Sequence, residues 1–245
     1  MSQAANSDSG TPVGIGLKAV RQRIADAEQA HGRREGSVQL LAVSKTRPAA
    51  DIIQALNAGQ AAFGENYLQD ALDKIRQLSE HGAQWHFIGR IQSNKTRPIA
   101  ENFDWVHSVD QPKQLKRLND QRPADLPPLN VCLQINIDRE PSKGGLSPET
   151  AAELVEHANA FPRLRICGLM TLPEPVPGLE SQRRPLRELR LLRDRLATPE
   201  TPLKTLSMGM SGDLEAAIAE GSTIVRVGTA IFGPRPQVAR RVDEG

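Results

Sequence analysis

The chain has 245 residues, of which 38% are hydrophobic, 24% are charged and 3% are aromatic, and its formal net charge is +2. No apolar run approaches the roughly 20 residues that cross a bilayer, and the charge and aromatic content do not provide the basic face or stacking surface of a nucleic-acid-binding protein. The histidines and cysteines do not cluster as metal ligands do. We therefore predict no membrane span, no nucleic-acid partner and no metal site.

Residues 1–13 are mostly polar and lack the basic and apolar segments of a secretory signal. We predict that they form a disordered tail, that residues 14–245 form a single domain, and that the protein is cytoplasmic. The stretch GLKAVRQRIADAEQ, which begins at Gly16, has the apolar spacing of a helix. It predicts one helix ahead of the first strand.

Short apolar runs rich in β-branched residues follow, with helical patterns between them. In chain order the runs are VQLLAVS, AAFGE, QWHFIG, DWVHSVD, LNVCLQIN, LRICGLM, LKTLSM and STIVRVG. Helical spacing separates them, as at Leu68, Leu72 and Ile75. Several runs are continuously apolar, which is typical of parallel strands covered on both faces. The alternation predicts a single-domain (β/α)8 barrel, a TIM barrel, with a doubly wound open sheet as the alternative.

The sequence KTRP occurs twice, beginning at Lys45 and at Lys95. Lys45 directly follows the first predicted strand, on the same side as Leu41 and Val43 by the two-residue alternation. Functional groups in such barrels follow the C-terminal ends of the strands, and partial burial there favours the neutral amine that attacks carbonyl groups and forms Schiff bases. Lys95 lies in a polar segment further from its strand. We therefore predict that Lys45 is the reactive lysine and that Lys95 is a loop residue.

Two loops near the end of the chain predict a phosphate site. Ser211 lies between the seventh strand and a helix, and Gly228 and Thr229 follow the eighth strand. Glycine lets the backbone approach an anion, hydroxyls and helix-start amides donate to it, and loops at these positions bind phosphate in many barrels. Together with Lys45 they predict a ligand with a carbonyl at one end and a phosphate at the other. Pyridoxal 5'-phosphate (PLP) and sugar-phosphate aldehydes both fit this description.

Four further residues are candidates for contacts with a ligand ring. Arg226 alternates inward two residues before Gly228 and would place a fixed positive charge under a ring nitrogen, which keeps that nitrogen unprotonated. His86 and Met170 lie at strand ends and are candidates for packing beside a ring. Asn66 is a candidate for a hydrogen bond to a phenolic oxygen. For each of the four, an ordinary core, ion-pair or loop role is the alternative.

The segments LLAVSKT, FGENYLQDALDKI, WHFIGRIQSNK, GLMTLP and SMGMSGDLEAAIAEGSTIVRVGTAIFG together resemble the pyridoxal phosphate homeostasis proteins, a family with an alanine-racemase-type barrel (PLP fold type III). The resemblance runs from about Leu17 to Gly233. It implies that Lys45 holds PLP as a Schiff base, and it links Lys143 to cofactor handling. It also implies one set of PLP contacts, namely Ser211, Gly228 and Thr229 at the phosphate, Arg226 at the pyridine nitrogen, and Asn66, His86 and Met170 around the ring.

The residues favour a cofactor carrier over an enzyme. Racemisation in both directions needs two bases on opposite faces of the α-carbon, and only Lys45 is evident. The racemases that the chain resembles add a C-terminal domain with a tyrosine, whereas few residues follow Gly233 and the single tyrosine is Tyr67. We predict a monomeric PLP-binding protein of intracellular PLP homeostasis, with PLP-dependent apo-enzymes as candidate partners. A PLP-dependent racemase of low activity and a Schiff-base aldolase acting on a phosphosugar are the alternatives.

Overall fold

The computed structural model describes residues 10–137 and 144–234. Its eight strands are parallel and close into a barrel in chain order, with the last strand beside the first. The predicted (β/α)8 barrel is thereby confirmed, and the open doubly wound sheet is excluded. Lys143 and residues 1–9 lie outside the described residues, so the predictions that concern them stay predictions.

Each of the eight apolar runs contains one strand. The strands are β1 Gln39–Val43, β2 Ala62–Glu65, β3 Gln84–Phe87, β4 Trp105–Val109, β5 Leu129–Gln134, β6 Leu164–Met170, β7 Thr205–Ser207 and β8 Ile224–Val227. The helices are α1 Pro12–Ala30, α2 Ala49–Asn57, α3 Leu68–Gln77, α4 Thr96–Asn102, α5 Pro112–Gln121, α6 Pro148–Glu156, α7 Leu179–Leu196, α8 Leu214–Ala219 and α9 Thr229–Phe232. Within the described ranges, no helix is both long enough and apolar enough to cross a membrane.

The helix ahead of the barrel starts earlier than the sequence pattern indicates. The hydroxyl of Thr11 accepts a hydrogen bond from the backbone N–H of Gly14 at 3.1 Å, and Pro12 occupies the first helical turn. A threonine cap followed by proline is a favoured helix start, because it satisfies a free N–H and presets the backbone angle. The predicted tail boundary is therefore corrected, since Pro12 and Val13 belong to α1. The helix packs against α8 and α9.

Apolar side chains form one layer outside the barrel wall and a second, smaller layer inside it. The larger cluster fills the space between the strands and the helices. The inner cluster consists of Leu41, Ala62 and Ile224, with Ile88 packed against it. Leu41 pairs in register with Arg226 of β8, and paired residues of parallel strands face the same side. Arg226 is therefore directed into the barrel above a small apolar plug.

Candidate functional site

Lys45 follows β1 by two residues, at the end of the barrel where all strands terminate, and is half-buried. Val43 pairs in register with Gly64, and continuing that register by two residues brings Lys45 level with Asn66 on the same side. On the other flank of β1, a Cβ added to Gly228 would lie only 3.0 Å from the carbonyl oxygen of Val43. Lys45 therefore lies between Asn66 and the loop after β8.

The loop after β1 is tied to the segment after α9. Nη2 of Arg47 donates to the carbonyl oxygens of Gly233 at 2.5 Å and Pro234 at 2.8 Å. Its guanidinium lies 6.0 Å from the ring centroid of Phe232, within range of a cation–π contact. Thr46 has a φ of 63°, which is unusual for a β-branched residue. Such strain persists where the surroundings fix the backbone, and the contacts of Arg47 provide that restraint.

The second KTRP copy has a different local structure. Lys95 is exposed and ends a 3-10 turn, and Thr96 has a φ of −63° and begins α4. The buried hydroxyl of Thr96 donates to the carbonyl of Ser93 at 3.1 Å and accepts from Nε of Arg117 at 3.1 Å. The same four residues thus form a strained turn in one place and a helix start in the other. The repeat in sequence is not a repeat in structure.

Glycine substitutions at the two threonines are expected to have different effects on stability. In Thr46→Gly, relief of the left-handed strain offsets the extra freedom of the unfolded chain, so the free energy of unfolding should change by no more than about 1 kcal/mol. Thr96→Gly should lose about 2 kcal/mol, because a helical glycine is unfavourable and two partly buried hydrogen bonds disappear. Urea denaturation of both variants checks this, and equal losses would contradict it.

Behind Lys45, outside the barrel wall, lies a buried cluster that the sequence did not predict. Nζ of Lys74 donates to the carbonyl of Ser44 at 2.9 Å and to Oε1 of Glu65 at 2.9 Å. A third bond, of 2.7 Å, goes to Asp70. The Ser44 hydroxyl also donates to Glu65 Oε1, at 2.6 Å. The cluster fixes the peptide group that precedes Lys45 to both β2 and α3.

Glu65 is the least satisfied member of this cluster. Its Oε2 is buried and has no hydrogen-bond partner among the described residues. Burial raises the pKa of the Glu65 carboxyl, while the charge of Lys74 and the hydrogen bond from Ser44 lower it. The ionised carboxylate therefore depends on Lys74 for its stability in the folded protein.

Asn66 presents an unsatisfied polar atom next to Lys45. It follows β2, and its Oδ1 is buried without a hydrogen-bond partner in the part of the chain that the structure describes. The backbone of Asn66 is pressed against Gly89, where an added Cβ would lie 2.0 Å from the Asn66 carbonyl oxygen. A buried amide oxygen costs free energy unless something donates to it. The site thus holds an acceptor suited to a ligand hydroxyl.

Arg226 is held rigidly inside the barrel and is 4% exposed. Nη1 donates to both oxygens of Ser207, to the carbonyl at 2.6 Å and to the hydroxyl at 2.7 Å, and Nη2 donates to the carbonyl of Thr171 at 2.9 Å. Burial lowers the pKa of Arg226 to about 10. The guanidinium therefore remains a fixed cation at neutral pH.

Two neutral histidines continue from Ser207 across the interior. Nδ1 of His107 lies 2.8 Å from the Ser207 hydroxyl, and its Nε2 lies 2.8 Å from Nδ1 of His86. Nε2 of His86 lies 3.0 Å from Oε1 of Gln84, and its ring stacks on Trp105. Burial lowers the pKa of His86 to about 3, and burial, followed by the nearby His86 and Arg226, lowers that of His107 well below the usual value. Both ring nitrogens of His86 are therefore engaged by the protein.

These two histidines should make the protein sensitive to acid. Because their folded-state pKa values are lowered, the unfolded chain binds more protons once the pH drops below about 6.5. Their contribution to stability is complete above that pH and is lost as the pH falls, by up to about 1.4 kcal/mol per pH unit for each histidine. Urea titrations between pH 7 and about 4 measure this slope. His86→Gln should reduce it by roughly half, whereas replacing the exposed His81 should leave it unchanged.

The remaining predicted residues lie at the same end of the barrel. Met170 is the last residue of β6 and is almost fully buried. Ser211 is half-buried in the loop after β7, and Thr229 is exposed at the start of α9. Asp213 shapes the β7 loop, since its Oδ1 accepts a hydrogen bond from the backbone N–H of Met210 at 2.6 Å. Hydroxyl groups from two loops thus flank the barrel end that carries the candidate lysine.

The structure brings the predicted site residues to one end of the barrel. Each lies in the last two residues of a strand, in the loop that follows or, for Thr229, at the start of the next helix, and the set is Lys45, Asn66, His86, Met170, Ser211, Arg226, Gly228 and Thr229. His86 and Arg226 differ from the others because their side-chain nitrogens are hydrogen-bonded to other groups of the barrel. The partners of Arg226 and His86, namely Ser207, Thr171, His107 and Gln84, were not predicted.

Comparison with known proteins gives consistent matches over most of the chain. Residues 15–236 match the alanine racemase N-terminal domain family. The pyridoxal phosphate homeostasis protein of Pseudomonas aeruginosa is 56% identical over 216 residues, which cover 88% of this chain and 93% of that protein. The protein of the same name from Escherichia coli K12 is 50% identical over 222 residues, 89% of this chain and 95% of that protein.

Solved structures agree with this assignment. PipY of Synechococcus elongatus, whose structure was determined with PLP bound, is 36% identical, with a TM-score of 0.76 over 86% of this chain and 100% of that one. The alanine racemase of Corynebacterium glutamicum is 16% identical, with a TM-score of 0.64 over 91% of this chain and 62% of that one. At that identity the second likeness concerns the fold alone.

Proposed function

We propose that this chain, which belongs to the family of pyridoxal phosphate homeostasis proteins and has the alanine racemase N-terminal barrel, binds PLP and takes part in PLP homeostasis without conventional enzymatic turnover. The observation that carries the proposal is the position of Lys45 between Asn66 and Gly228. The hydroxyls of Ser211 and Thr229 lie at the same barrel end. An amine, an amide and two hydroxyl-bearing loops suit a ligand with an aldehyde and a phosphate, and the PLP bound by PipY supports the choice of PLP.

The chemistry of the described residues fits PLP. When bound, PLP supplies an aldehyde that amines capture and a pyridine ring that withdraws electrons. Lys45 captures that aldehyde as a Schiff base, in which its Nζ replaces the aldehyde oxygen and water leaves. The orphaned Oδ1 of Asn66 accepts from the phenolic group. Because Gly228 has no side chain, phosphate can approach the backbone there, with the hydroxyls of Ser211 and Thr229 as further donors.

Arg226 supports a carrier over an enzyme. A carboxylate beside the pyridine nitrogen would stabilise its protonated form and strengthen the ring as an electron sink, whereas a fixed cation opposes protonation. The buried guanidinium of Arg226 is such a cation, because its pKa of about 10 keeps it charged at neutral pH. This arrangement disfavours the carbanion chemistry on which amino-acid turnover depends.

A second base is also not evident among the described residues around Lys45. His86 and His107 direct their ring nitrogens to other protein groups. The single tyrosine, Tyr67, is 56% exposed. Racemisation needs a base on each face of the α-carbon, so these surroundings support reversible binding of PLP over racemisation.

The direct test is to titrate the purified protein with PLP and to follow the near-ultraviolet and visible absorption. We expect a saturable yellow band with one PLP per chain, together with negligible turnover in racemase, transaminase and phosphosugar aldolase assays. Failure to take up PLP would overturn the binding proposal. Robust conversion of an amino acid would identify a racemase or transaminase, and conversion of a phosphosugar would identify an aldolase.

The proposed role extends to the fate of bound PLP. A half-buried lysine that holds the aldehyde reversibly can release it to a stronger acceptor, so PLP-dependent apo-enzymes are the proposed recipients and a cytoplasmic monomer is the proposed carrier. Mixing the PLP-loaded protein with an apo-transaminase tests this. Transaminase activity should appear, at a rate that depends on the concentration of the carrier if transfer is direct.

A further inference from the structure

Five polar side chains form a continuous hydrogen-bonded chain across the barrel interior, here called the interior chain. From β8 to β3 its members are Arg226, Ser207, His107, His86 and Gln84, and its four links measure 2.7, 2.8, 2.8 and 3.0 Å. Gln84 is the first residue of β3 and is partly exposed, so it lies at the end of the barrel opposite Lys45. The interior chain thus connects the two ends of the barrel.

Arg226 and the side-chain oxygen of Gln84 together set one direction for the hydrogen bonds of the interior chain. A guanidinium can only donate, so the Ser207 oxygen accepts from Arg226 and its own hydrogen is available for Nδ1 of His107. A neutral imidazole that accepts at Nδ1 carries its proton on Nε2, so His107 donates to Nδ1 of His86. By the same rule His86 donates from Nε2 and requires an acceptor at the end of the chain, and Oε1 of Gln84 is that acceptor.

The opposite direction leaves a buried group unsatisfied. If Gln84 presented its amide N–H to His86, both histidines would carry their protons on Nδ1, and Ser207 would accept from His107 as well as from Arg226. The hydroxyl hydrogen of Ser207 would then have no acceptor within the described residues, although Ser207 is fully buried. An unmade hydrogen bond of this kind is costly. The neutral state of both histidines agrees with one proton on each ring.

We propose that Gln84 is a positioning residue, which holds the interior chain in the direction that gives the Ser207 hydroxyl hydrogen an acceptor. A satisfied Ser207 in turn stays ordered beside Arg226, whose guanidinium lies at the pyridine nitrogen of PLP. The inference rests on the proposed function for the PLP ring, whereas the direction of the hydrogen bonds in the interior chain is a property of the protein alone. Gln84 touches neither Lys45 nor the phosphate loops, and its influence depends on which of its amide atoms faces His86.

The first test uses nitrogen-15 NMR of the histidine side chains in protein without PLP. In the wild-type chain His86 and His107 should both carry the proton on Nε2, and a proton on Nδ1 of either ring would overturn the proposal. In Gln84→Glu, which offers only acceptors, both rings should keep the proton on Nε2. In Gln84→Lys, which offers only donors, both should switch to Nδ1. Gln84→Met offers neither, so its two histidines should each show a mixture of tautomers. This variant keeps the test available if Gln84→Lys fails to fold.

The second test measures PLP affinity and the absorption maximum of bound PLP in the same variants. Gln84→Glu should match the wild type in both. Gln84→Lys and Gln84→Met should bind PLP about tenfold more weakly, the effect of one unmade hydrogen bond of the Ser207 hydroxyl beside Arg226, and should shift the absorption maximum. Switched tautomers with unchanged PLP spectra and affinity would overturn the role of Gln84. Wild-type protein that shows the expected tautomers but takes up no PLP would refute the proposed function and leave the interior chain intact.

Discussion

Lys45→Ala is expected to abolish covalent uptake of PLP. Among the lysines described, Lys45 alone joins partial burial to a strand-end position beside Asn66 and the β8 loop. Removing its amine removes the nucleophile that the aldehyde requires, so the yellow band should be lost altogether. Borohydride reduction of the wild-type protein with bound PLP, followed by peptide mapping, should place the pyridoxyl group on Lys45.

Two other lysines provide matched controls for this experiment. Lys95→Ala alters the second KTRP copy, where the lysine is exposed in a turn, and PLP uptake should remain at the wild-type level. Lys74 is buried and already donates to two carboxylates, so it should carry no pyridoxyl group. A pyridoxyl group on Lys95, or an unchanged yellow band in Lys45→Ala, would refute the assignment of Lys45.

The barrel was predictable because its signal is repeated eight times. Each strand is a short apolar run, and the intervening helices show a different period, so errors at single boundaries do not alter the topology. The rule that functional groups follow strand ends then limited the candidate site residues to positions such as Lys45 and Gly228. The predicted tail boundary was wrong by two residues, because the cap formed by Thr11 and Pro12 extends α1 beyond its periodic apolar stretch.

The partners behind the site were not predictable in the same way. His86, His107, Ser207 and Arg226 each fit an ordinary inward position of a strand, and only closure of the barrel brings β3, β4, β7 and β8 to a common interior. The link between His107 and Ser207 spans 100 residues of sequence. Which side chains meet across the interior depends on the register and stagger of the strands. The apolar pattern of a single strand determines neither of these.

Lys74→Met is expected to destabilise the folded protein strongly at neutral pH. The substitution leaves the Glu65 carboxylate buried without its cation, and breaking one side of a buried ion pair typically costs about 3–5 kcal/mol. For a chain of this size such a loss lowers the melting temperature by roughly 10 °C. Urea denaturation and calorimetry measure the two quantities.

The pH dependence of this loss distinguishes it from simple loss of packing. Burial raises the folded-state pKa of Glu65, and removing Lys74 removes the largest opposing influence. A raised carboxyl pKa gives stability that is present at acid pH and is lost as the pH rises through the folded-state value. The difference between Lys74→Met and the wild type should therefore grow from acid to neutral pH. A difference that stays constant with pH would mean that packing alone is lost.

The double variant Glu65→Gln/Lys74→Met separates the buried charge from the missing contacts. With both charges absent no ion is left unpaired, and removal of a whole buried pair is often far less costly than removal of one partner. The double variant should recover more than half of the stability lost in Lys74→Met and should show no growth of the deficit with pH. Lys74 also donates to the carbonyl of Ser44, next to Lys45, and the double variant lacks this hydrogen bond. The PLP uptake of the double variant should therefore still fall below the wild-type level. Wild-type uptake together with restored stability would mean that the cluster supports the fold but does not position Lys45.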